Sequence, residues 1–485
     1  MHRAYFMPHG LNRLAWPIAL GGLGLLVFAL VALSGPGRID RLDGQTRYEV
    51  GRSLVEHRDS IVRDPRITWN RFPGRDGFEH ADAPLPPSVV AAGAILIADA
   101  TGPVSEGRRH FFFVLGGAVA CGLLVILYAL WFRSQGIRPS AALLWAFGGI
   151  VCTPVWFYGT STLDEGLGSV VLVAALVTAS LSSGKLLGAI AAGLLLGLAY
   201  SCNPVLAVFC LLGLALNDDR SAPFARRFMH ATFLISGLLA GVLAEIAYDR
   251  IKFPYGRVDS QITHRSLDLD VGMFLYCPSL ALFIVGIVAR WRNDRRLVLA
   301  LIAGSIAFVG FAATAPLSEP SWGPRRMTPL FAVLWMFTFL NVGHVFQRTL
   351  ATLVLGLAVI VQLLALSVDS HRLAVEREQT GSHLFQRPRE ILEIARADSA
   401  EEFTPAPSPT FAFPIDPPYL EKKGPEVVKR YQVLNGFRPW WVNQRFMPPD
   451  ERPVNLAKTL AILLGLAGLG CVMLGLGWRC LRVPR

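Results

Sequence analysis

The sequence predicts an all-α, polytopic membrane protein with about twelve transmembrane helices. Three observations support this fold class. The 485 residues are 53% hydrophobic, only 17% are charged, and the mean hydropathy is +0.44, whereas a soluble domain carries about 25% charged residues. Several apolar runs reach the roughly 20 residues that a helix needs to cross the hydrocarbon core. Basic residues recur in the short segments between these runs, as is typical of membrane proteins.

Twelve apolar runs are predicted to form the spans. They cover residues 14–34, 111–132, 140–158, 167–183, 186–201, 204–217, 228–248, 272–290, 297–316, 327–346, 349–368 and 456–477. The fifth and sixth runs are short and meet at Ser201-Cys202-Asn203-Pro204, so they form either two short spans or one broken helix. No small-residue cleavage site follows the first run, and we therefore expect it to be retained as a span. The many glycines of the spans are expected to allow close helix packing.

The short basic loops predict the orientation of the chain. With twelve spans they share one side, which the positive-inside rule assigns to the cytoplasm together with both termini. The outer side then holds five polar segments, namely a large first loop (35–110), residues 161–165, 249–271 and 317–326, and a C-terminal loop (369–455). The predicted units are a transmembrane domain (1–368, including the first outer loop), an outer loop region (369–455), and a last span with a cytoplasmic tail (456–485).

Several function classes find no support. The net charge is +11, but no basic block is interleaved with aromatic residues in a soluble module, so no nucleic acid partner is expected. All seven cysteines except Cys480 lie within or at the edge of apolar runs, which argues against a disulfide framework or a thiolate metal site. No metal site is predicted, because no histidine or cysteine spacing suggests zinc, and no glycine-rich loop between a strand and a helix suggests a nucleotide.

The first outer loop opens with two carboxylates, Asp40 and Asp43. A weak apolar stripe at helical spacing follows between residues 48 and 55, and it fits a helix that lies in the membrane surface. Asp43 is then either a general base or cation ligand at the bilayer edge, or a solvated carboxylate paired with Arg41 or Arg47. The residues alone leave both interpretations open.

Two further pairs of charges stand at the outer ends of spans. Asp164 and Glu165 begin the fourth span, where the helix dipole favours acidic side chains; carboxylates that enter lipid are costly unless they face protein or a cavity. Arg325 and Arg326 precede the tenth span. Guanidinium groups suit phosphate recognition, and they also extend from helix ends towards the interface without any ligand.

Five motifs follow each other along the chain. They are Asp43-Gly44-Gln45-Thr46-Arg47-Tyr48 with its continuation to residue 89, residues 158–167 around Asp164-Glu165, the glycine-rich segment 193–204, residues 272–278 around Tyr276, and Trp322-Gly323-Pro324-Arg325-Arg326. The ordered set resembles the GT-C superfamily of membrane glycosyltransferases, in the branch that includes protein mannosyltransferases and the lipid A aminoarabinose transferase. Bacterial relatives of unassigned substrate look most similar.

The resemblance implies a function and a location. A sugar would move from a polyprenyl-phosphate donor to an acceptor at the outer face of the bacterial inner (plasma) membrane, with membrane lipid as a partner. Asp43 would be the catalytic base, Glu165 a second catalytic acid near the acceptor or a cation, and Arg325 the ligand of the lipid phosphate. No cofactor is implied, and the need for a divalent cation is left open.

The same resemblance implies further substrate-binding positions: Arg326, Asp40, Arg47, Tyr48, Asp164, Asn203, Tyr276 and Trp322. Two of them depart from the family pattern, because Asn203 stands where relatives commonly have arginine and Arg326 where they often have an aromatic residue. Two alternatives therefore stay open. One is a transporter or flippase, which would show inverted repeats and ionisable residues near mid-span. The other is an inactive relative with a structural role in the envelope.

Overall fold

The computed structural model describes most of the chain. The described residues are 11–39, 42–64, 71–81, 83–162, 164–218, 222–253, 276–291, 294–314, 325–338, 345–367, 388, 391–392, 439–444, 452 and 454–482. Within the C-terminal loop, the sequence predicts a helix-like stretch at 372–397 and extended backbone in the proline-rich stretch 404–418. The first lies mostly and the second entirely outside the described residues.

The described part of the chain is almost entirely helical, which confirms the predicted fold class. The α-helices are α1 (Leu11–Ser34), α2 (Leu42–Glu56), α3 (Leu85–Thr101), α4 (Glu106–Ser134), α5 (Pro139–Val151), α6 (Val155–Gly159), α7 (Asp164–Leu181), α8 (Leu186–Cys202), α9 (Cys210–Asn217), α10 (Phe224–Lys252), α11 (Leu280–Trp291), α12 (Arg295–Thr314), α13 (Thr328–Trp335), α14 (Val345–Ser367), α15 (Trp440–Gln444) and α16 (Leu456–Arg482). Short 3₁₀ helices cover Pro204–Phe209 and Arg325–Met327, and strands β1 (Arg71–Pro73) and β2 (Glu79–Ala81) form an antiparallel hairpin.

Within the part of the chain that the structure describes, five helices are long and apolar enough to cross a membrane by length and composition. They contain the segments Leu14–Ser34, Glu106–Ser134, Phe224–Lys252, Thr349–Ser367 and Leu456–Arg479. Six further apolar segments are shorter, between 10 and 17 residues. The exact number of twelve spans stays a prediction.

Two predicted spans are interrupted in the structure. The run 140–158 is divided between α5 and α6 at Pro154, which has no N–H to donate. Beside it, the Thr153 hydroxyl donates to the Gly149 carbonyl at 2.7 Å and accepts from Val155 N at 3.3 Å. The run 327–346 forms helix only as far as Trp335 and continues into a turn. There the Trp131 indole donates to the Met336 carbonyl at 2.7 Å. In both places a side chain satisfies backbone groups that the helix ladder leaves open.

At residues 201–204 the chain turns back, as expected for two short spans and not for one broken helix, because Ser183 Oγ before α8 donates to the Asn217 carbonyl at the end of α9 at 3.4 Å. Helix α8 ends at Cys202, and Asn203 has an extended backbone with φ −157° and ψ 113°. Its side-chain oxygen accepts a hydrogen bond from Val205 N at 3.1 Å, and Pro204 opens the 3₁₀ helix. Asn203 is thus an N-cap followed by proline, an arrangement that starts a new helical segment.

Close helix packing confirms the expectation for some of the span glycines, while others, such as Gly310 and Gly356, have open space around them. Helix α8 packs on α7 and α10, while α1 packs on α4 and α16. One close approach joins α8 and α10, where a Cβ built on Gly241 would stand 2.4 Å from Gly197 Cα. No side chain larger than hydrogen fits there, which is how small residues bring membrane helices together.

The first outer loop is a folded unit of α2, the β1–β2 hairpin and α3. Helix α2 was expected to lie in the membrane surface, and its place relative to the membrane stays a prediction; its burial within the protein was not predicted. Its residues 43–51 are buried, because α3, α4 and the hairpin cover it. Helix α3 was not predicted; its apolar run lies between the charged parts of the loop, and Pro86 and Pro87 occupy its first turn, a favoured place for proline.

The helices give the bundle two ends of different character. We call the end that carries the first loop, with Ser34, Thr162 and Lys252, the loop end. At the opposite end, which we call the basic end, Arg227 contacts Asp218 through two hydrogen bonds of 2.5 and 2.8 Å, and Arg290 donates to Gln135 at 3.3 Å.

Candidate functional site at the loop end

The N-terminus of α2 lies directly on the turn that joins α6 to α7. A Cβ built on Gly44 would stand 2.0 Å from Thr162 Oγ1, so the helix approaches the turn as closely as glycine allows. One turn further along α2, Arg47 Nη1 donates to the Thr162 carbonyl oxygen at 3.3 Å. Sequence segments 115 residues apart are therefore fastened together.

This contact brings together the two motifs that contain the predicted catalytic acids. Asp43 lies in the first turn of α2 and is 9% exposed, and Glu165 lies in the first turn of α7 and is 5% exposed. Both carboxylates stand at helix N-termini, where the dipole stabilises negative charge. Buried carboxylates flanked by helix ends are candidates for proton transfer or for binding a cation.

Charged side chains tie α2 to its neighbours in a network that sequence reasoning missed. The Tyr48 hydroxyl and Arg52 Nη1 both donate to the Glu106 carboxylate, the latter at 2.9 Å. Arg109 binds both oxygens of Asp99 at 2.9 and 2.7 Å and donates to Glu56 at 2.7 Å. Bidentate arginine–carboxylate pairs are strong and directional, so the network fixes α2 against α3 and α4.

The network changes the ionisation of two of its members. Burial, followed by the charge of the Glu106 carboxylate, raises the pKa of Tyr48 far above its usual range. Tyr48 therefore stays a hydrogen-bond donor at every physiological pH. The hydrogen bonds from Arg109 lower the pKa of Asp99 below its usual value. Asp99 therefore stays negative and keeps Arg109 in place.

The hairpin of the first loop is held by the end of α10. Lys252 is buried, donates to the Ala81 carbonyl at 3.4 Å and lies 3.5 Å from Asp249, while Arg75 N donates to the Lys252 carbonyl at 3.1 Å. Within the hairpin, His80 Nε2 lies 3.1 Å from Asp76. The predicted outer segment after α10 thus starts beside the first loop.

The other predicted site residues lie in different surroundings. Tyr48 is fully buried, with its ring 4.4 Å from that of His110, so its side chain is used in packing. The Tyr276 carbonyl accepts from Gln362 at 2.9 Å, and Asn203 is the N-cap described above. Arg325 and Arg326 begin the 3₁₀ helix before α13, and Arg326 is half-buried.

Several predictions about these positions stay predictions. Asp40 and Trp322 lie outside the described residues, and Asp164 is described only as the first residue of α7. A shared pocket that joins Arg325 to Asp43 and Glu165 also stays a prediction. Within the described ranges, no group of three or more His, Cys, Asp or Glu side chains forms a metal site.

The missed residues left a weak signal in the sequence. Glu106, Arg109 and His110 come just before the run assigned to the second span, so they counted as loop. In the structure they form the polar first turns of α4, whose N-cap Ser105 accepts from Arg108 N at 3.3 Å. A serine followed directly by an acidic residue is a helix-start signal, and it would have extended the helix to include them.

Comparisons with known proteins give a likeness of fold only. No protein-family model and no curated protein sequence matches the chain. The crystal structure of ArnT from Cupriavidus metallidurans bound to undecaprenyl phosphate is similar, with 14% identity and a TM-score of 0.45 over 96% of this chain and 78% of that chain. The apo structure of ArnT from the same organism is similar too, with 14% identity and a TM-score of 0.45 over 97% of this chain and 77% of that chain. A likeness of this size assigns no activity and no ligand to the chain.

Proposed function

We propose that the chain is an integral membrane glycosyltransferase that moves a sugar from a polyprenyl-phosphate donor to an acceptor at the outer face of the membrane. The proposal rests on one contact: the first turn of α2, which contains Asp43, packs against the turn that precedes Glu165. It supports a site in which two buried carboxylates from distant motifs act together. The class of reaction is taken from the resemblance of the five ordered motifs to GT-C glycosyltransferases.

The proposed step is a displacement at the anomeric carbon of the donor. Asp43 accepts the proton of the attacking acceptor hydroxyl as the new glycosidic bond forms. The bond between the sugar and the phosphate oxygen breaks, and the lipid phosphate leaves with the electron pair. Arg325 offsets the charge of the departing phosphate, and Glu165 orients the acceptor or a cation. The lipid donor would reach the site from the bilayer and the acceptor from water.

The proposal is tested with the purified full chain in lipid nanodiscs. A panel of polyprenyl-phosphate sugars is supplied together with outer-face envelope glycolipids and proteins, and the release of polyprenyl phosphate is followed. Asp43→Asn is expected to lower turnover by about 100-fold to 10,000-fold, because a general base contributes a factor of that size. The thermal unfolding midpoint is expected to stay within the range of the wild type.

The matched control is Asp59→Asn. Asp59 belongs to the same loop but pairs with Arg63 at 2.6 Å on the surface, with 31% of its side chain exposed. Its substitution is expected to leave turnover unchanged. Full activity of Asp43→Asn would remove Asp43 from the mechanism. A wild type that consumes no donor of the panel would count against the transferase and in favour of transport or a structural role.

A further inference from the structure

The short helix α15 of the C-terminal outer loop is fastened to the outer end of α1. Trp440 N donates to the Gly35 carbonyl at 3.0 Å, and the Trp440 indole donates to the Ala32 carbonyl at 3.0 Å. The neighbouring Trp441 indole donates to the Leu33 carbonyl at 3.1 Å. The last carbonyls of a helix have no partner within it, so these three donors cap α1.

Trp440 is also part of the core. It is fully buried, and its ring meets that of Phe111 edge to face at 5.1 Å. On the other side it covers Gly37, which has a φ of +63° and whose Cβ, if built, would stand 2.4 Å from Trp440 Cβ. Gly37 must therefore be glycine both for its backbone conformation and for the tryptophan to fit.

The residues that Trp440 holds lead directly to Asp43. The segment after α1 runs from Gly35 past Gly37 to the buried Ile39, and α2 begins at Leu42. This segment also meets the turn before α7: the Trp156 indole donates to Ser34 Oγ at 2.9 Å, and a Cβ built on Gly35 would stand 3.4 Å from Thr160 Cβ. The segment is thus clamped between α15 and the turn that precedes Glu165.

We infer that Trp440 is a positioning residue: the C-terminal outer loop uses it to hold the segment between α1 and α2, and thereby the Asp43 turn, against the turn before Glu165. This inference rests on the proposed function for its catalytic consequence. It gives the C-terminal outer loop a role that the sequence did not assign. A tryptophan pair in such a loop is commonly an interface anchor, but Trp440 has no exposed surface, and only its neighbour Trp441, which is 42% exposed, reaches the surroundings.

Hydrogen exchange tests the inference on the full chain in nanodiscs. Trp440→Ala is expected to raise amide exchange of residues 35–48 by about tenfold or more, since the buried ring and the indole hydrogen bond to Ala32 are lost. Exchange within α4 is expected to stay unchanged. Trp440→Phe keeps a ring beside Phe111 but loses the indole donor, and we expect an intermediate effect. The matched control, Trp291→Ala, removes a tryptophan ring that is 39% exposed at the basic end and is expected to change exchange of residues 35–48 by less than about threefold.

Turnover of the polyprenyl-phosphate donor distinguishes positioning from simple stabilisation. Trp440→Ala is expected to lower kcat while KM for the donor stays within about twofold, because Asp43 acts in the chemical step. Trp440→Phe should recover part of kcat. A local rise in exchange with unchanged kcat would overturn the positioning role, and so would a rise that extends through α4. No rise in residues 35–48 would overturn the contact itself.

The exchange experiment keeps the inference separate from the proposed function. If the wild type transfers no sugar, the proposed function fails, and exchange alone decides whether the C-terminal loop holds this segment. A rise confined to residues 35–48 then supports the contact, and its absence overturns it. If the wild type transfers sugar but Trp440→Ala matches it in both measurements, the transferase stands and the inference falls.

Discussion

The contact between Gly44 and Thr162 decides whether α2 really docks on the turn before α7. A Cβ at position 44 would lie 2.0 Å from Thr162 Oγ1 and 2.6 Å from Thr162 Cβ. Gly44→Ala therefore forces the helix and the turn apart, and overpacking of this kind costs about 1–3 kcal/mol. Replacing glycine in a helix by alanine returns about 0.5–1 kcal/mol. We expect a net loss of about 0.5–2 kcal/mol in the free energy of unfolding.

A second glycine of the same loop gives the matched control. Gly93 lies within α3, and a Cβ built there would meet no atom within 4 Å. Gly93→Ala carries the helix gain without the clash, so we expect it to stabilise the protein by about 0.5–1 kcal/mol. The difference between the two variants then measures the overpacking at Gly44 alone.

A second substitution, at Thr162, tests whether the loss comes from this contact. Thr162→Gly removes both atoms that a methyl group at position 44 would strike, and the nearest remaining atom is Ile39 Cγ2 at 3.2 Å. The double variant should recover about 1–3 kcal/mol relative to the sum of the single changes, as expected for residues in contact. Thr162→Ala should not rescue, because the threonine Cβ at 2.6 Å stays.

Chemical unfolding in detergent micelles measures these free energies, and turnover of the donor follows in parallel. We expect Gly44→Ala to lose activity. Adding Thr162→Gly should restore part of it, since the first turn of α2 can then pack against the turn before α7 again. The reasoning is refuted if Gly44→Ala behaves like Gly93→Ala, or if alanine and glycine at position 162 rescue equally well.

Three further predictions concern the packing that surrounds the site. Gly241→Ala separates α8 from α10 and should lower the free energy of unfolding by about 1–3 kcal/mol, whereas Gly310→Ala, within α12 and with open space around it, should raise it by about 0.5–1 kcal/mol in the same unfolding assay. Arg109→Gln breaks the pairs with Asp99 and Glu56 and should cost about 1–3 kcal/mol by chemical unfolding. The third prediction concerns pH. Arg109 lowers the pKa of Asp99 in the folded protein, so the pair stabilises the protein fully above the ordinary carboxyl pKa of about 4. This stabilisation is lost as the pH falls through the lowered pKa. Thermal midpoints between about pH 3 and pH 7 should therefore fall less steeply in Asp99→Asn than in the wild type.

Local patterns predicted the helices of this chain well and their surroundings poorly. The stripe after Asp43 predicted α2, and the Asn203-Pro204 pair predicted a break, because caps and apolar spacing are properties of a few consecutive residues. The burial of α2 depends on Thr162, which is 115 residues beyond Arg47, and no local pattern reports such a partner. A half-polar stripe at helical spacing indicates an interfacial helix when the elements that cover it are distant in sequence.

The same limit applies to Trp440 and to the charges of the first loop. Trp440 and its partner carbonyl at Ala32 are 408 residues apart, so its neighbours in sequence could not distinguish a buried ring from an interface anchor. Glu106 and Arg109 resemble loop charges because their partners on α2 and α3 come from other parts of the loop. Apolar periodicity predicts which helix faces are buried, but it does not predict which polar side chains are buried in contact with each other.

The orientation of the bundle is the remaining premise of outer-face chemistry, and α4 tests it directly. Its 29 residues extend over about 43 Å at 1.5 Å per residue, which exceeds the hydrocarbon core of about 30 Å. Val104, 67% exposed, precedes the helix at the loop end, and the exposed Ser134 ends it at the basic end. These two positions should therefore lie on opposite sides of the membrane.

The seven native cysteines are first replaced by alanine, and a single cysteine is then introduced at one of these two positions. Intact spheroplasts are treated with a maleimide that does not cross membranes. Because arginines cluster at the basic end, the positive-inside rule predicts that Val104→Cys reacts at once and Ser134→Cys only after permeabilisation. The reverse pattern would put the first loop in the cytoplasm, where an outer-face acceptor could not reach Asp43. Reaction of both positions in intact spheroplasts would contradict α4 as a span.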